Sequence, residues 1–537
     1  MTTVDPISLE VFRHRCAAIA EEMGAALGRT AFSANIKERR DFSCALFDAT
    51  GTMIAQAAHI PAHLGAMPRS VEAALQRHHL QPGDVVILND PYRGGSHLPD
   101  ITMVSPVHTT EGVRVGYVAS RAHHADVGGM TPGSMPMSTE LYQEGLIIPP
   151  VLIQQGGQLN GALVDMICRN SRTPDERSGD LSAQLACHAL GATRLLDLVA
   201  QQGLERVHEH MQALLEYGER HVRALLASLP DGTYCFEDVM DDDGHGSDPL
   251  PIRVTLRIAG DTAVVDFTGT APQVNGPINA PLAVAESAVQ YCFRCLSSDD
   301  MPEAAFGALV TRADSPLKVV VPEGSLINPR PPAAVAGGNV ETAQRVVDVV
   351  FGALAQAVPD RIPAASAGTM NNWTFGGLDT QTSAPFAYYE TLGGGLGARP
   401  TANGIDGVQV HMTNTLNTPV EALEHQFPLR VHRYSLRPGS GGIGQYRGGA
   451  GLVREIEFFV PVLISLLTER RRCAPYGLAG GAAGSAGQNM LLYPDGRTEA
   501  LPGKATLPLQ AGTRLRIETP GGGGWGTPPD TAAHHTT

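Results

Sequence analysis

Apolar positions change period several times along the chain, and the changes mark its elements. Asp5-Pro6 is a helix start, a capping side chain followed by proline in the first turn. Ile7, Val11, Ala18, Met23 and Leu27 continue it as a stripe to about Thr30. The period then shortens to that of strands. Phe42 to Phe47 and Thr52 to Gln56 flank the turn Asp48-Ala49-Thr50-Gly51. Asp84 to Leu88 is a short buried strand. Ile101 to Val107 and Val113 to Ala119 form a hairpin across Thr109 to Gly112. Helical spacing returns over 193–229, broken near Gly203. Ile252 to Ile258 and Thr262 to Phe267 pair through Gly260-Asp261. Helices are predicted at 281–297 and 341–357, the second capped by Asn339. Beyond 360 the chain is glycine-rich with short strands, among them Val408 to Met412, Val453 to Phe459 and Leu463 to Leu467. No fixed-period repeat is present.

This order predicts a mixed α/β (α+β) fold, a large multi-layer body with a helical middle and a β-rich, Gly-rich C-terminal half. The expected division is an N-terminal mixed region over 1–230 that carries the site motifs, an α/β middle over 231–360, a β-rich region over 361–528 and a disordered tail over 529–537. A length of 537 residues with 43% hydrophobic and 17% charged residues suits a packed globular protein. The net charge of −15 excludes an electrostatic footprint for nucleic acid or anionic membranes. No cationic, apolar leader opens the chain and no apolar run is long enough to span a bilayer, so a cytoplasmic location is expected. Only three of the 39 basic residues are lysine: Lys37, Lys318 and Lys504. The single C-x-x-C, Cys292 and Cys295, lacks a second pair for zinc.

Several motifs fail on context. Gly439 to Gly444 matches G-x-G-x-x-G, but Gln-Tyr-Arg-Gly-Gly follows where a phosphate-binding helix should begin. There is no phosphate loop, no nucleophile elbow and no H-E-x-x-H after His208. Asp241 to Gly244 lacks the ligand spacing of a calcium loop.

One constellation survives, between residues 35 and 135. The second hairpin, centred near 110–111, sets residue 100 opposite about 121, so Asp100 lies beside His123 and His124. The first sets Asp41 opposite about 58, beside His59. His97 and Asp100, spaced H-x-x-D, can share one ion. Strand ends that deliver imidazoles and carboxylates to one point suit a catalytic divalent ion, Zn, Mn or Fe. Consecutive His123 and His124 in extended chain point to opposite faces, so at most one is a ligand.

The same segments carry a resemblance. Asn35 to Cys44 (NIKERRDFSC), His59 to Gly65 (HIPAHLG), Asn89 to Asp100 (NDPYRGGSHLPD) and Arg121 to Asp126 (RAHHAD) resemble the hydantoinase B/oxoprolinase family. So do Gly337 to Thr342 (GGNVET), Tyr389-Glu390-Thr391, Ser440 to Gly442 with Tyr446 to Gly449, and Thr519 to Gly526. The resemblance implies a B-type subunit that works with a larger, ATP-using A-type subunit, as a heterodimer of dimers. ATP and Mg would enter through that partner, which accounts for the missing phosphate loop. It implies a metal held by Asp41, His97, Asp100 and His123, and hydrolysis of a lactam or hydantoin ring activated by phosphorylation. His124 is the expected proton relay. Lys37 or Arg39 would stabilise anionic oxygens, with Glu38 orienting the site. His59, His63, Asp90 and Asp126 are expected around the ligands. The alternatives are a subunit of an ATP-dependent ketone carboxylase, which would use the same pocket with bicarbonate, and a non-catalytic scaffold for the A-type subunit. The loops with Tyr446, Arg447 and Arg470 to Arg472 are read either as solvent-exposed or as bordering the substrate chamber or partner interface.

Overall fold

The computed structural model describes residues 4–57, 59–63, 65–297, 315–380 and 383–529. The expected tail lies outside these from residue 530 onward. Helix α1 (Pro6–Thr30) starts where the sequence places it, with the Asp5 carboxylate accepting from the Ser8 N–H. A short helical turn, α2 (Ala34–Lys37), leads into β1 (Phe42–Phe47) and β2 (Met53–Gln56). Then come α3 (Ala66–Arg77), β3 (Val85–Leu88), β4 (Asp100–His108), β5 (Arg114–His123), β6 (Val151–Gln155) and β7 (Gln158–Leu159). The strands form one antiparallel sheet in the order β2-β1-β5-β4-β3-β6-β7.

Both faces of that sheet are covered. Cys44 and Leu46 of β1 cluster with Phe12, Cys16 and Met23 of α1, while Ala45 and Phe47 cluster with Met67 and Val71 of α3. Successive side chains on a strand point to opposite faces, so a sheet buried on both sides reads as an unbroken apolar run. This is why Phe42 to Phe47 lacks the polar alternation of a surface strand.

Next come α4 (Gly161–Arg169), α5 (Pro174–Gln202) and α6 (Leu204–Ala227). The break expected near Gly203 is there, with Gly203 at φ 84°. The helix before it begins at Pro174, well ahead of the expected 193. Its sheet-facing stripe explains the miss: Arg177, Asp180, Gln184 and His188 are all buried. A buried polar stripe gives no apolar period to read. Its groups are paired: Arg177 with Asp180 at 3.1 Å, Gln184 donating to the Ile101 carbonyl at 3.1 Å, and His188 between the Ser105 and Ser120 hydroxyls at 2.6 and 2.9 Å.

The middle of the chain is a four-stranded sheet, β11-β10-β9-β8, built from β8 (Gly232–Met240), β9 (Leu250–Ala259), β10 (Thr262–Asp266) and β11 (Leu317–Val320). It packs against α7 (Leu282–Cys295) and α8 (Ala343–Ala357), and their shared core is almost wholly aliphatic. Asn339 does not cap α8. It sits in a π-turn, Gly338–Thr342, that leads into the helix. A Cβ on Gly338 would lie 1.9 Å from the Asn279 carbonyl oxygen, so this close approach requires glycine.

The C-terminal part contains β12 (Asn372–Leu378), β13 (Pro385–Glu390), the short helix α9 (Val420–Gln426), β14 (Leu429–Arg437), β15 (Gly451–Phe458), β16 (Val462–Leu467), β17 (Gln488–Leu492), β18 (Thr498–Leu501), β19 (Lys504–Leu509) and β20 (Arg514–Glu518). They form two sheets, β13-β12-β16-β19 and β14-β15-β20-β17-β18. The strand expected at Val408 to Met412 is absent; a single bridge joins Val408 to Gly394. The glycine-rich runs are packed threads. Gly442 N–H donates to the Gly522 carbonyl, Gly522 to Gly449 and Gly524 to Ala482, at 2.8, 2.9 and 2.8 Å. A Cβ on Gly441 would lie 1.9 Å from the Gly448 carbonyl oxygen, so here the chain packs backbone on backbone. Gly439 to Gly444 lies in the connection between β14 and β15, with no helix after it. Among the described residues no helix is long and apolar enough to cross a membrane.

Burial pushes the His188 imidazole down to about 3. An unfolded histidine takes up its proton near 6.5, so the folded state gains fully from this site above that pH. The gain shrinks as pH falls from about 6.5 toward 3, by about 1.4 kcal/mol per unit. His188→Gln removes the titrating group. The stability gap between wild type and variant, read from urea midpoints, should narrow by about 1–2 kcal/mol between about pH 7 and pH 5.5. A gap independent of pH in that range would refute the role.

Candidate metal centre

Strand β5 has β1 on one side and β4 on the other, and both registers converge at its end. Phe42 pairs with Ala122, and Asp100 pairs directly with His123. The hairpin turn is centred on residue 111 and a bulge lies between Val107 and His108, which together bring His123 rather than residue 121 opposite Asp100. One residue beyond β1, the Asp41 carbonyl accepts the His123 N–H at 2.9 Å. The hairpin reading did not foresee this, because it had no way to pair β1 with β5.

Asp100 is the hub. Its Oδ1 lies 3.2 Å from His97 Nε2 and 3.3 Å from His123 Nδ1. Its Oδ2 accepts from the Ser96 hydroxyl at 2.7 Å and from Asn339 Nδ2 at 3.2 Å, and faces His63 Nε2 at 3.4 Å. The His97 Nδ1 is 3.2 Å from the Ala336 carbonyl, which can only accept. Nδ1 therefore donates to that carbonyl and Nε2 is the atom turned to the Asp100 carboxylate. His97 Nε2, Asp100 Oδ1 and His123 Nε2 are buried without a hydrogen-bond partner. One ligand atom from each of His97, Asp100 and His123 lies within 4.8 Å of the others. Two imidazole nitrogens and a carboxylate oxygen that converge in a buried space, with His97 Nε2 and Asp100 Oδ1 left unpartnered, are what a divalent cation would satisfy, and the donor set fits Zn, Mn or Fe.

Burial acts to raise the Asp100 carboxyl, but His97, His63 and the adjacent His123 hold it well below the usual carboxylate range. Burial also acts to lower His97, and Asp100 overrides it and raises the imidazole. For His123 burial prevails and the shift is downward.

Asp41, Asp100, His123, His63, Asn339 and Tyr389 border a small cavity of about 20 Å³, room for one ion or water. Three of the four expected ligands thus form the cluster, and Asp41 lines the same cavity. The Asp41 carboxylate is 3.9 Å from Arg39, which is fully buried. Arg39 donates to the Tyr389 carbonyl at 3.0 Å and the Thr391 hydroxyl at 2.9 Å. Of the residues expected around the ligands, His63 is in contact, its other nitrogen bonded to the Ser43 hydroxyl at 2.9 Å.

The rest lie elsewhere. His124 turns to the opposite face of the strand, bonded to Gln184 at 3.0 Å and to Arg177, and burial with that guanidinium drives its imidazole down to about 3. The expected relay role is therefore corrected: its ring does not reach the cavity. Lys37, Glu38 and His59 line a separate open cleft. Asp90 caps the turn at Pro91–Arg93 by accepting the Tyr92 N–H. Asp126 clamps a loop, accepting from the Gly128 N–H, the Gly133 N–H and the Arg172 guanidinium at 3.0, 3.2 and 3.0 Å. Arg470 is engaged with Asp238 and Asp348 and Arg471 with Asn371 and Asn489, while Arg447 pairs with Asp406 near the surface. None of these three arginines borders the cavity.

Sequence reasoning assigned no site role to Asn339 or Tyr389. Tyr389 stacks on His123, ring centroids 4.4 Å apart at 16°, and its hydroxyl donates to Asn372 at 2.7 Å. Both residues stand in runs that carry the family resemblance, GGNVET and Tyr389-Glu390-Thr391, which was the available signal.

The hydantoinase B/oxoprolinase family profile matches residues 5–528. The chain is 43% identical to 5-oxoprolinase 1 of Arabidopsis thaliana over 97% of its own length, and spans 42% of that longer protein. It is 32% identical to a B-type subunit of a D-/L-hydantoinase from a Pseudomonas species, over 98% of the chain and 90% of that protein. The ATP-dependent caprolactamase from Pseudomonas jessenii has the same fold, with a TM-score of 0.89 at 29% identity, over 98% of this chain and 93% of that one. The chain belongs to the hydantoinase B/oxoprolinase family.

Proposed function

We propose that this chain is the B-type component of an ATP-dependent cyclic-amide hydrolase and that the cluster on Asp100 is its reaction centre. The carrying observation is the convergence of one ligand atom each from His97, Asp100 and His123, with His97 Nε2 and Asp100 Oδ1 unpartnered. These residues, with Asp41 at the cavity wall, would hold a divalent ion, and such an ion when bound polarises a carbonyl and acidifies water. Ser96 and Asn339 fix one Asp100 oxygen and leave the other turned toward both imidazoles. The Ala336 carbonyl locks the His97 tautomer. Tyr389 holds the His123 ring flat against its own, and Arg39 supplies a permanent positive charge beside Asp41. His63, within reach of Asp100 and bonded to Ser43, is the titratable group placed to hold or pass a proton at the cavity.

An amide carbonyl resists water because the nitrogen lone pair feeds it. O-phosphorylation removes that resonance, and the names of the relatives, an ATP-dependent caprolactamase and several 5-oxoprolinases, fit this logic. The Pseudomonas hydantoinase relative is one subunit of its enzyme and is similar in length to this chain, whereas the plant relative is more than twice as long. This supports an A-type partner as a separate chain that supplies the ATP step.

Elemental analysis of the purified protein should find about one Zn, Mn or Fe per chain. His97→Ala and Asp100→Ala should each lower that content at least tenfold while the far-ultraviolet circular dichroism is kept. Asp126→Ala should instead cost about 1–3 kcal/mol of stability, because the Gly128 and Gly133 N–H groups and the partly exposed Arg172 lose their acceptor, with metal content unchanged. Full metal occupancy in a His97→Ala/Asp100→Ala double variant would sink the assignment.

Turnover should need both components. The chain alone with Mg-ATP should show no tight binding in calorimetry, and lactam or hydantoin opening should start only when the A-type chain is added. ATP-dependent turnover by the isolated chain would rule out the two-component reading.

A further inference from the structure

A second, open cleft of about 690 Å³ lies back to back with the metal cavity. Three short segments separate the two spaces, and each shows different residues to each side. Asp41 lines the cavity, while Glu38, Arg40 and Phe42 line the cleft. Ile60, Ala62 and His63 line the cavity, and His59 the cleft. Met412 and Thr413 line the cavity, Asn414 and Leu416 the cleft. The wall is thus one chain thick. It is stitched by the Ala62 N–H to the Met412 carbonyl at 3.0 Å, Asn414 to the His59 carbonyl at 3.0 Å and the Leu416 N–H to the Arg39 carbonyl at 2.9 Å.

The cleft has an unusual charge for this chain. Arg29, Lys37 and Arg40 border it and are exposed. Among the described residues none of the three side chains has an ion-pair partner. The carboxylates there are Glu38 and Glu21, the latter 3.8 Å from His59. In a chain of net charge −15 this leaves a local excess of positive charge. The backbone is shaped for it as well. Arg40 is at φ 55°, a conformation unfavourable for a residue with a Cβ; Arg39 and Asp41 on either side are buried, and Arg40 itself stands in the cleft. On the α1 side, a Cβ on Gly24 would lie 2.4 Å from the His59 ring, so a side chain there would collide with the wall. Leu416, half-exposed, adds apolar surface beside the cations.

We propose that this cleft is the docking subsite for an anionic form of the substrate, a small organic molecule bearing a phosphate or carboxylate. Arg29, Lys37 and Arg40 hold the oxyanion, Leu416 takes the apolar body, and the ligand rests one chain layer from the cavity. Cations left unpaired at a concave surface raise the local concentration of anions, and a guanidinium binds such oxyanions in two places. The proposal rests on the cavity being the reaction centre.

The test uses the metal-loaded chain, first alone and then with its A-type partner. Inorganic phosphate and succinate are the probes, titrated by calorimetry against wild type, a Lys37→Gln/Arg40→Gln double variant, Arg29→Gln on the separate helix α1, and Lys318→Gln as a distant control. Phosphate or succinate should bind wild type and the control alike. Both cleft variants should bind at least tenfold more weakly and show a raised KM in the complex, with metal content still about one per chain. A preference for phosphate identifies the phosphorylated intermediate as the docked species, and a preference for succinate the carboxylate. Unchanged anion affinity and KM in both cleft variants, or no anion binding to wild type, would overturn the proposal. Metal content is read separately, so loss of the cavity reading, seen as no metal in wild type, is told apart from loss of the cleft.

Discussion

A carboxylate buried to 1% exposure is costly unless charge and hydrogen bonds surround it, and Asp100 is such a group. Its neighbours come from four separate stretches: Ser96 and His97 from the turn before β4, His63 from the segment after β2, His123 from the end of β5 and Asn339 from the π-turn before α8. No local element could satisfy it alone. The N-terminal sheet and the middle helices must therefore dock in one arrangement before Asp100 can be buried, and the site and the fold depend on the same contacts.

A second buried network holds the C-terminal part to that arrangement. Asp238 of β8, Arg345 and Asp348 of α8, and Glu469 and Arg470 beyond β16 are joined by pairs at 2.5 to 3.5 Å, and Lys504 of β19 is bonded to Glu469. Such a network favours one geometry over others more than it adds raw stability, because each ion loses its hydration and removing one partner strands another. Its geometric consequence is at the cavity. Strand β13, which carries Tyr389, pairs with β12, and β12 with β16, so the network fixes where the Tyr389 ring meets His123.

What could be read in the sequence followed from local rules. α1 with its Asp5 cap, the hairpin of β4 and β5, the break at Gly203 and the nearness of His97 and Asp100 to the His123-His124 pair follow from period, turn chemistry or short-range register, while the choice of His123 came with the family resemblance. What escaped depends on long-range partners. The start of α5 was hidden because its inner stripe is polar, satisfied only by Ile101, Ser105 and Ser120 of the sheet it covers. The strand expected at 408–412 has the right residues, but Gly394 is its only bridge partner. His124 was placed by chain neighbourhood, and the alternation of β5 sends it to Arg177 and Gln184 instead. His63 was expected around the ligands from the family run HIPAHLG; register alone would not have placed it, because its contact with Asp100 depends on the fold of 59–63 between the sheet and Met412.

The size of the cavity sets the last constraint. About 20 Å³ holds an ion or a water molecule and no organic ring. Under the proposed function a ring must therefore meet Asp100 from outside this space or displace part of its lining. Residues 59–63 and 412–416 are not part of any strand, and few backbone hydrogen bonds cross from one to the other. The remaining boundary is the end of sheet β1-β5-β4, the π-turn before α8, and Met370, Tyr389 and Thr391. The two sides of the space are thus held differently: ladder bonds and the partners of Asp100 tie one, and a thin wall of non-strand segments closes the other, joined to the first through His63 and Asp100.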